Sequence, residues 1–360
     1  MPKKIEELGG KYNLEEKKPW ILEPKYFFII VFIVTILTAL ALDIAISSSK
    51  KEILTCGDGT LHGFCSLRKP YFCDNGTLVE KASICGCNEN LERKGDSCVN
   101  NYYMTEPKNL NFKYFIDGKQ KEISFLAYKG IKDYVGNLSR IISYDESGVP
   151  TRADFKKRSI NEELQLEFLN PLIVAIQNSE KTPENQLRAA VSIVQNIPYN
   201  FSSEKILIEG IEVNYSRYPY EVIYENAGIC GEKTTLLALI LKEMGYDVVI
   251  FYNKKENHEA VGVKCPVEYS YKNTGYCFIE TSGPAIISDS SIEYIGGIKL
   301  ESYPEIIPIS YGKSLPKNLR EYKDAKFMER FRSGDFLLFK NSKYNSLKEK
   351  YGLTENYYIE

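Results

Sequence analysis

From Phe27 to Ile46 the chain reads FFIIVFIVTILTALALDIAI, an apolar run whose single charge is Asp43. Twenty helical residues rise about 30 Å, the thickness of a bilayer core. The pattern therefore predicts a membrane-spanning helix over 27–47, preceded by a short polar tail (1–26). A cleaved signal peptide is the competing reading, because ALALDIAIS offers small residues to a peptidase. The polar segment reaches to Tyr26, long for a signal peptide's leading region, and favours an uncleaved signal anchor.

Further along, the periodicity changes several times. FKYFI and EISFLAY flank Asp117-Gly118, and Asp-Gly between two apolar-rich runs predicts a β-hairpin. From Asn161 to Gln195 the apolar residues recur at three- and four-residue spacing, which predicts helices, with Pro171 and Pro183 expected to divide them. Pro198 to Tyr224 reads as a Tyr- and Asn-rich connecting loop. After Cys230, the residues Leu236, Leu237, Ile240, Leu241 and Met244 mark one face of a helix that Gly245 ends. YDVVIFY, HEAVGVKC and YCFIET then predict three strands, so the fold class is α+β with one helix end aimed at a sheet. Beyond Gly312 the chain is rich in Lys and Arg, and LREYKDAKFMERF predicts an amphipathic helix, suited to packing on the domain or to a membrane surface.

Charge and cysteine usage narrow the class. The formal net charge is −2 and no basic stripe is visible, which sets nucleic acid aside as a partner. Six of the nine cysteines fall between Cys56 and Cys98, just after the apolar run. Segment 56–98 has too few apolar residues for a core of its own, so it reads as a disulfide-rich module. Fifteen pairings are open to six cysteines. Zinc is the alternative, but the only close pair is Cys85-x-Cys87, poor spacing for a zinc site. Lysines lie on both sides of the apolar run, so charge barely orients it. The cysteines favour an oxidising exterior for everything after it. Four N-x-S/T sequons at Asn75, Asn137, Asn200 and Asn214 fall on that same side and would make it a glycoprotein.

The candidate chemistry lies in three short segments. Cys230 sits in GICGEKTT at a helix start, where unpaired N–H groups and the macrodipole favour a thiolate. Gly228 and Gly231 bracket it and suit a tight turn that could aim the Cys230 amide at an acyl oxygen. His258 opens a strand in NHEAVGV, and Glu280 closes one in CFIET. Taken singly, a buried cysteine, a surface histidine and a strand-end carboxylate are ordinary; thiol, base and carboxylate in this order point to acyl transfer. His258 to Cys265 and Cys277 to Glu280 are both odd intervals, so both cysteines would face away from the catalytic pair. That permits a Cys265–Cys277 disulfide behind the site. The intervals differ by four, for which a bulge or loop is expected. With six cysteines paired in the module, Cys230 is then the single remaining thiol. GICGEKTT lacks the G-x-x-x-x-G-K-[ST] spacing of a phosphate loop, and Glu232 and Lys233 read as ordinary first-turn residues.

YPYEVIYENAGICGEKTTLLALILKEMGYDVVIF, then NHEAVGV, then CFIETSGP, resembles the core of the transglutaminase-like superfamily, especially its membrane-anchored archaeal members. The likeness covers about residues 218–284 and extends weakly back to Asn161. It implies a papain-like α+β fold, with the cysteine-bearing helix packed on an antiparallel sheet, in a domain over 103–312. It also implies Cys230 as nucleophile, His258 as general base and acid, and Glu280 orienting the imidazole, where aspartate is usual. No cofactor or metal is called for. The expected activity is that of a membrane-anchored, extracytoplasmic cysteine peptidase or acyltransferase. Its expected partner is a protein or peptide substrate at the cell envelope, with hydrolysis favoured over crosslinking. An inactive surface module for binding or envelope structure is the alternative. The tail 1–26 would be cytoplasmic, and 313–360 a basic C-terminal extension.

Overall fold

The computed structural model describes residues 24–49, 54–143, 148–202, 205–208, 211–334, 340–354 and 356–359. The chain forms two units, Met1–Ile53 and Leu54–Glu360. In the first, helix α1 runs Pro24–Ser49. Its side chains from Tyr26 to Leu40 are all exposed. Those of Ala41 and of 43–49 lie outside the described residues, as does the tail 1–23. Among the described residues no helix is long and apolar enough to cross a membrane.

The second unit begins with three disulfides, Cys56–Cys73, Cys65–Cys85 and Cys87–Cys98. They hold two small hairpins, β1 (Tyr71–Asp74) with β2 (Thr77–Glu80) and, after the one-turn α2 (Ala82–Cys85), β3 (Glu92–Lys94) with β4 (Ser97–Val99). Only Cys56, Tyr71, Cys73 and Leu78 form a buried cluster here, and it is completed by Val174 of the following domain. Crosslinks stand in for burial, as the composition of the segment requires.

The expected hairpin is β5 (Pro107–Ile116) and β6 (Lys119–Tyr128). Its two-residue turn puts Asp117 at φ 53° and Gly118 at φ 71°, the paired positive angles for which Asp-Gly is selected. Helices α3 (Lys129–Gly136), α4 (Arg152–Ile160), α5 (Glu163–Ser179) and α6 (Pro183–Asn196) follow. Pro171 lies inside α5 and does not divide it. The ring is on the exposed side, while Leu169, Leu172 and Ile173 around it are fully buried, so packing carries the helix through the missing hydrogen bond. Pro183 does open a helix: it sits in the first turn of α6, capped by Thr182.

The stretch 198–224 is more ordered than a loop. It contains β7 (Lys205–Ile208) paired with β8 (Ile211–Asn214), and most of α7 (Pro219–Glu225). Pro219 at the helix start and buried Tyr220, Val222 and Ile223 give α7 its signal, which the neighbouring polar residues obscure.

Helix α8 (Cys230–Glu243) is followed by Gly245 at φ 82°, then by β9 (Val248–Asn253), β10 (His258–Lys264) and β11 (Tyr276–Ile279). A fourth strand, β12 (Glu305–Ser310), completes an antiparallel sheet in the order β11-β10-β9-β12. Pro308 hid it in the sequence, and proline is tolerated because β12 is an edge. Val248, Ile250, Val261 and Val263 face the core with Leu236, Leu237 and Ile240 of α8. Val249, Phe251, Ala260 and Phe278 form a second core on the opposite face. The fold is thus α+β, with the cysteine-bearing helix against an antiparallel sheet. The amphipathic segment becomes α9 (Glu321–Ser333), whose Ala325 and Met328 pack with Ile286 and with Leu347 of α10 (Lys340–Tyr351). It serves the domain, and the bidentate Arg188–Glu321 pair at 2.7 and 2.9 Å fixes its start.

Candidate functional site

Cys230 is the first residue of α8, and its side chain is fully buried. Glu232 reaches back to accept from the Ile229 amide (3.1 Å) and the Arg217 amide (2.8 Å), and pairs with the Arg217 guanidinium at 3.0 Å. A glutamate in the first turn thereby closes the helix start in the manner of a capping box. Gly228 needs no positive φ; it serves close approach instead. A Cβ there would meet Lys233 Cγ and Val222 Cγ1, both at 3.2 Å. Hydroxyls fasten this helix end to the sheet. Thr234 Oγ1 donates to the carbonyl of Glu259, next to His258, over 3.1 Å, and Thr281 Oγ1, next to Glu280, donates to the Cys230 carbonyl over 3.3 Å.

His258 and Glu280 are also fully buried, and His258 Nε2 lies 2.9 Å from Glu280 Oε2. A carboxylate only accepts, so Nε2 carries the proton and Nδ1 is left for a second partner. Nδ1 is buried without a partner at ordinary hydrogen-bond geometry. The Cys230 thiol lies near enough to help raise the pKa of the ring. Nδ1 is thus the ring atom left for the thiol, and catalytic contacts are commonly loose before substrate binds. Burial opposes the imidazolium, but Glu280 and Cys230 outweigh it and hold His258 well above its ordinary value.

Four donors fill the Glu280 carboxylate. Besides His258, the Tyr294 hydroxyl donates to Oε2 at 2.5 Å, and the amides of Thr281 and Ser282 donate to Oε1 at 2.9 and 2.7 Å. Burial by itself would raise this carboxyl. The charge of His258 and these hydrogen bonds overcome it and lower the pKa to about 2. The glutamate arm thus reaches the imidazole directly.

The predicted disulfide is present: Cys265 is bonded to Cys277, and both lie in the core shared with α8. His258 and Glu280 share strand parity with Ala260 and Phe278 on the other face. No bulge is needed. The register Val261↔Ile279 and Val263↔Cys277 is regular. Both pairs are diagonals across it, displaced in opposite senses, and this absorbs the difference of four. All nine cysteines are described, and Cys230 alone lies outside a disulfide.

Three further residues escaped the sequence reading. Tyr294 lies in a segment without periodicity, and nothing local ties it to Glu280. Gln195 donates to the carbonyls of Glu280 (2.9 Å) and Ala285 (3.1 Å) from the end of α6. Lys233 is the largest departure: far from being an ordinary first-turn lysine, it is fully buried one turn after Cys230. Its ammonium donates to the carbonyls of Gln195 (3.2 Å), Ile197 (2.7 Å) and Ser282 (3.4 Å). Burial pulls its pKa down to about 7, against the opposing effect of Glu280 and Cys230. Three carbonyl acceptors around Nζ favour the charged form. Its signal in the sequence was position alone, three residues past the cysteine on the same helix face.

Among the described residues no group of three or more His, Cys, Asp or Glu is placed to hold a metal ion. No family model and no curated protein matches the chain. Among solved structures it is similar to calcium-bound LapG of Legionella pneumophila, at 14% identity, covering 47% of this chain and 97% of that one with a TM-score of 0.25. At that identity and superposition the likeness carries no weight for function, which must be read from the site itself.

Proposed function

We propose that the chain is a transglutaminase-like cysteine enzyme that transfers acyl groups from amide bonds of proteins or peptides. The observation that carries this reading is the buried His258–Glu280 bond, which leaves Nδ1 for the thiol at the start of α8. The thiolate of Cys230 attacks the amide carbonyl, and its own amide, at the helix N-terminus, is the nearest donor for the oxyanion. His258 gives its proton to the departing amine as the C–N bond breaks, leaving a thioester on Cys230. Water, deprotonated by His258, then releases the acid and restores the thiol. Hydrolysis is the proposed outcome because it needs no second substrate site; a lysine amine in place of water would give a crosslink.

Charge balance supports the same chemistry. With Lys233 and His258 both protonated against one carboxylate, Glu280, a thiolate at Cys230 would make the buried cluster neutral. Four disulfides suit an oxidising compartment, which with the apolar run 27–47 supports an anchored domain outside the membrane. One observation favours a second reading, an inactive surface module: the Cys230 side chain has no solvent exposure. Alkylation by iodoacetamide near neutral pH, read by mass spectrometry on the folded, non-reduced protein, separates the two. Modification confined to Cys230 and lost in His258→Ala supports the enzyme. A thiol that no small electrophile reaches cannot turn over a substrate, and that result would favour the inactive module.

A further inference from the structure

A cavity of about 400 Å³ opens between α4, the segment after α3 and the Ser216–Tyr218 segment that leads into α7. Among the described residues its wall carries five cations, Arg140, Arg152, Lys156, Arg158 and Arg217, and no carboxylate. The balancing acids stand behind that wall. Arg140 pairs with Glu221 at 2.9 Å, Arg217 with Glu225 at 2.6 Å and Glu232 at 3.0 Å, and Lys156 with Glu259 at 2.6 Å, which Arg152 also contacts. Among the described residues, four ion-paired carboxylates thus face the wall's five guanidinium and ammonium groups. The surplus is Arg158: among the described residues it joins no ion pair, and its hydrogen bond goes to the Ile141 carbonyl at 2.7 Å. Beside it, Phe155 is 42% exposed, an apolar surface at the cavity mouth.

The wall is tied directly to the reactive centre. Lys156 Nζ donates to the carbonyl of Gly231, the residue after Cys230, at 3.1 Å and to Thr235 Oγ1 at 3.1 Å. Glu259, the acid shared by Arg152 and Lys156, is the residue after His258. An anionic group held here would therefore sit beside the first turn of α8.

We infer that this cavity is a specificity subsite for a carboxylate side chain, glutamate or aspartate, of an acyl-donor peptide. Arg158, whose Nη1 is given to Ile141, would grip the carboxylate through its Nε and Nη2 edge, and Phe155 would cover the adjoining methylenes. The inference rests on the acyl-transfer reading only for the role of the neighbouring Cys230, and it is tested without turnover. The full chain carrying Cys230→Ser, kept in mild detergent, is titrated against a fluorescein-labelled glutamate-rich peptide and its glutamine counterpart, reading anisotropy at low salt. The glutamate peptide is expected to bind at least about tenfold more tightly, with the preference falling as salt rises. Arg158→Glu and the milder Arg158→Gln should abolish that preference, while Lys113→Glu on β5, which does not line the cavity, should keep it. Equal binding of the two peptides, or an intact preference in both Arg158 variants, overturns the subsite. So does complete displacement of the glutamate peptide by millimolar inorganic phosphate, which would assign the cavity to phosphate. Failure of Cys230 alkylation would overturn the enzyme and leave these binding results standing.

Discussion

His258 and Glu280 meet at 2.9 Å across a diagonal of the β10–β11 pair, one opening its strand and the other just past the end of its own. Neither residue is held by the other alone. Tyr294 and two backbone amides fix the carboxylate, and the Thr234 and Thr281 hydroxyls fix the helix that brings the thiol.

Removing the imidazole should slow iodoacetamide modification of Cys230 by about a hundredfold, because the ring supplies the base that activates the thiol. Glu280→Gln should cost about tenfold or more, since an amide can turn its NH₂ to the ring and reverse the tautomer. Rates measured by intact mass that equal wild type in both variants would remove the dyad from any role.

The pH dependence of stability should carry the signature of the same pair. Glu280 is lowered from 4.5 to about 2, so its contribution is complete above about pH 4.5 and disappears as pH falls toward 2. That is on the order of 3 kcal/mol. His258 is raised above 6.5, so its contribution is complete below about pH 6.5 and is lost as pH rises through the folded value. Urea midpoints should therefore be highest between these limits. Glu280→Gln should flatten the acid limb, and an unchanged limb would contradict the assignment of the low pKa to this residue.

Lys233→Met replaces a buried ammonium with an apolar chain of similar length and strands the carbonyls of Gln195, Ile197 and Ser282. Losing the buried charge offsets part of that cost, and a net loss of roughly 2 kcal/mol is expected by urea denaturation. The same variant should slow Cys230 alkylation by about tenfold, because the cluster loses one of its two cations. A variant as stable and as reactive as wild type would leave Lys233 with no part in the site.

Cys265→Ser with Cys277→Ser opens a loop closed across 12 residues of sequence. Chain entropy alone predicts a loss of about 3 kcal/mol. The bridge lies on the sheet face opposite His258 and Glu280, so Cys230 alkylation should stay within about twofold of wild type once the protein is folded. A collapse of reactivity at full folding would mean that the bridge also holds the reactive geometry.

Local chemistry was legible in the chain itself. Asp117-Gly118 specified a hairpin because few residues accept positive φ twice in succession. Gly245 ended α8 for the same reason, and the odd intervals from His258 to Cys265 and from Cys277 to Glu280 assigned opposite faces because strand side chains alternate. The misjudged elements were those where packing overrides local preference. Pro171 sits within a helix because its neighbours are buried, and Pro308 sits within a strand because that strand is an edge.

The sequence by itself determined which residue types were available for acyl transfer and on which elements they lie: Cys230 at a helix start, His258 and Glu280 at strand ends. Those are properties of local periodicity and turn chemistry. Tertiary structure alone decided that Tyr294 completes the carboxylate, that Lys233 is buried beside it, and that five cations gather next to the first turn of α8. Such contacts join residues far apart in the chain, and no local pattern encodes them, because burial and the pairing of charges depend on which surfaces meet when the whole domain closes.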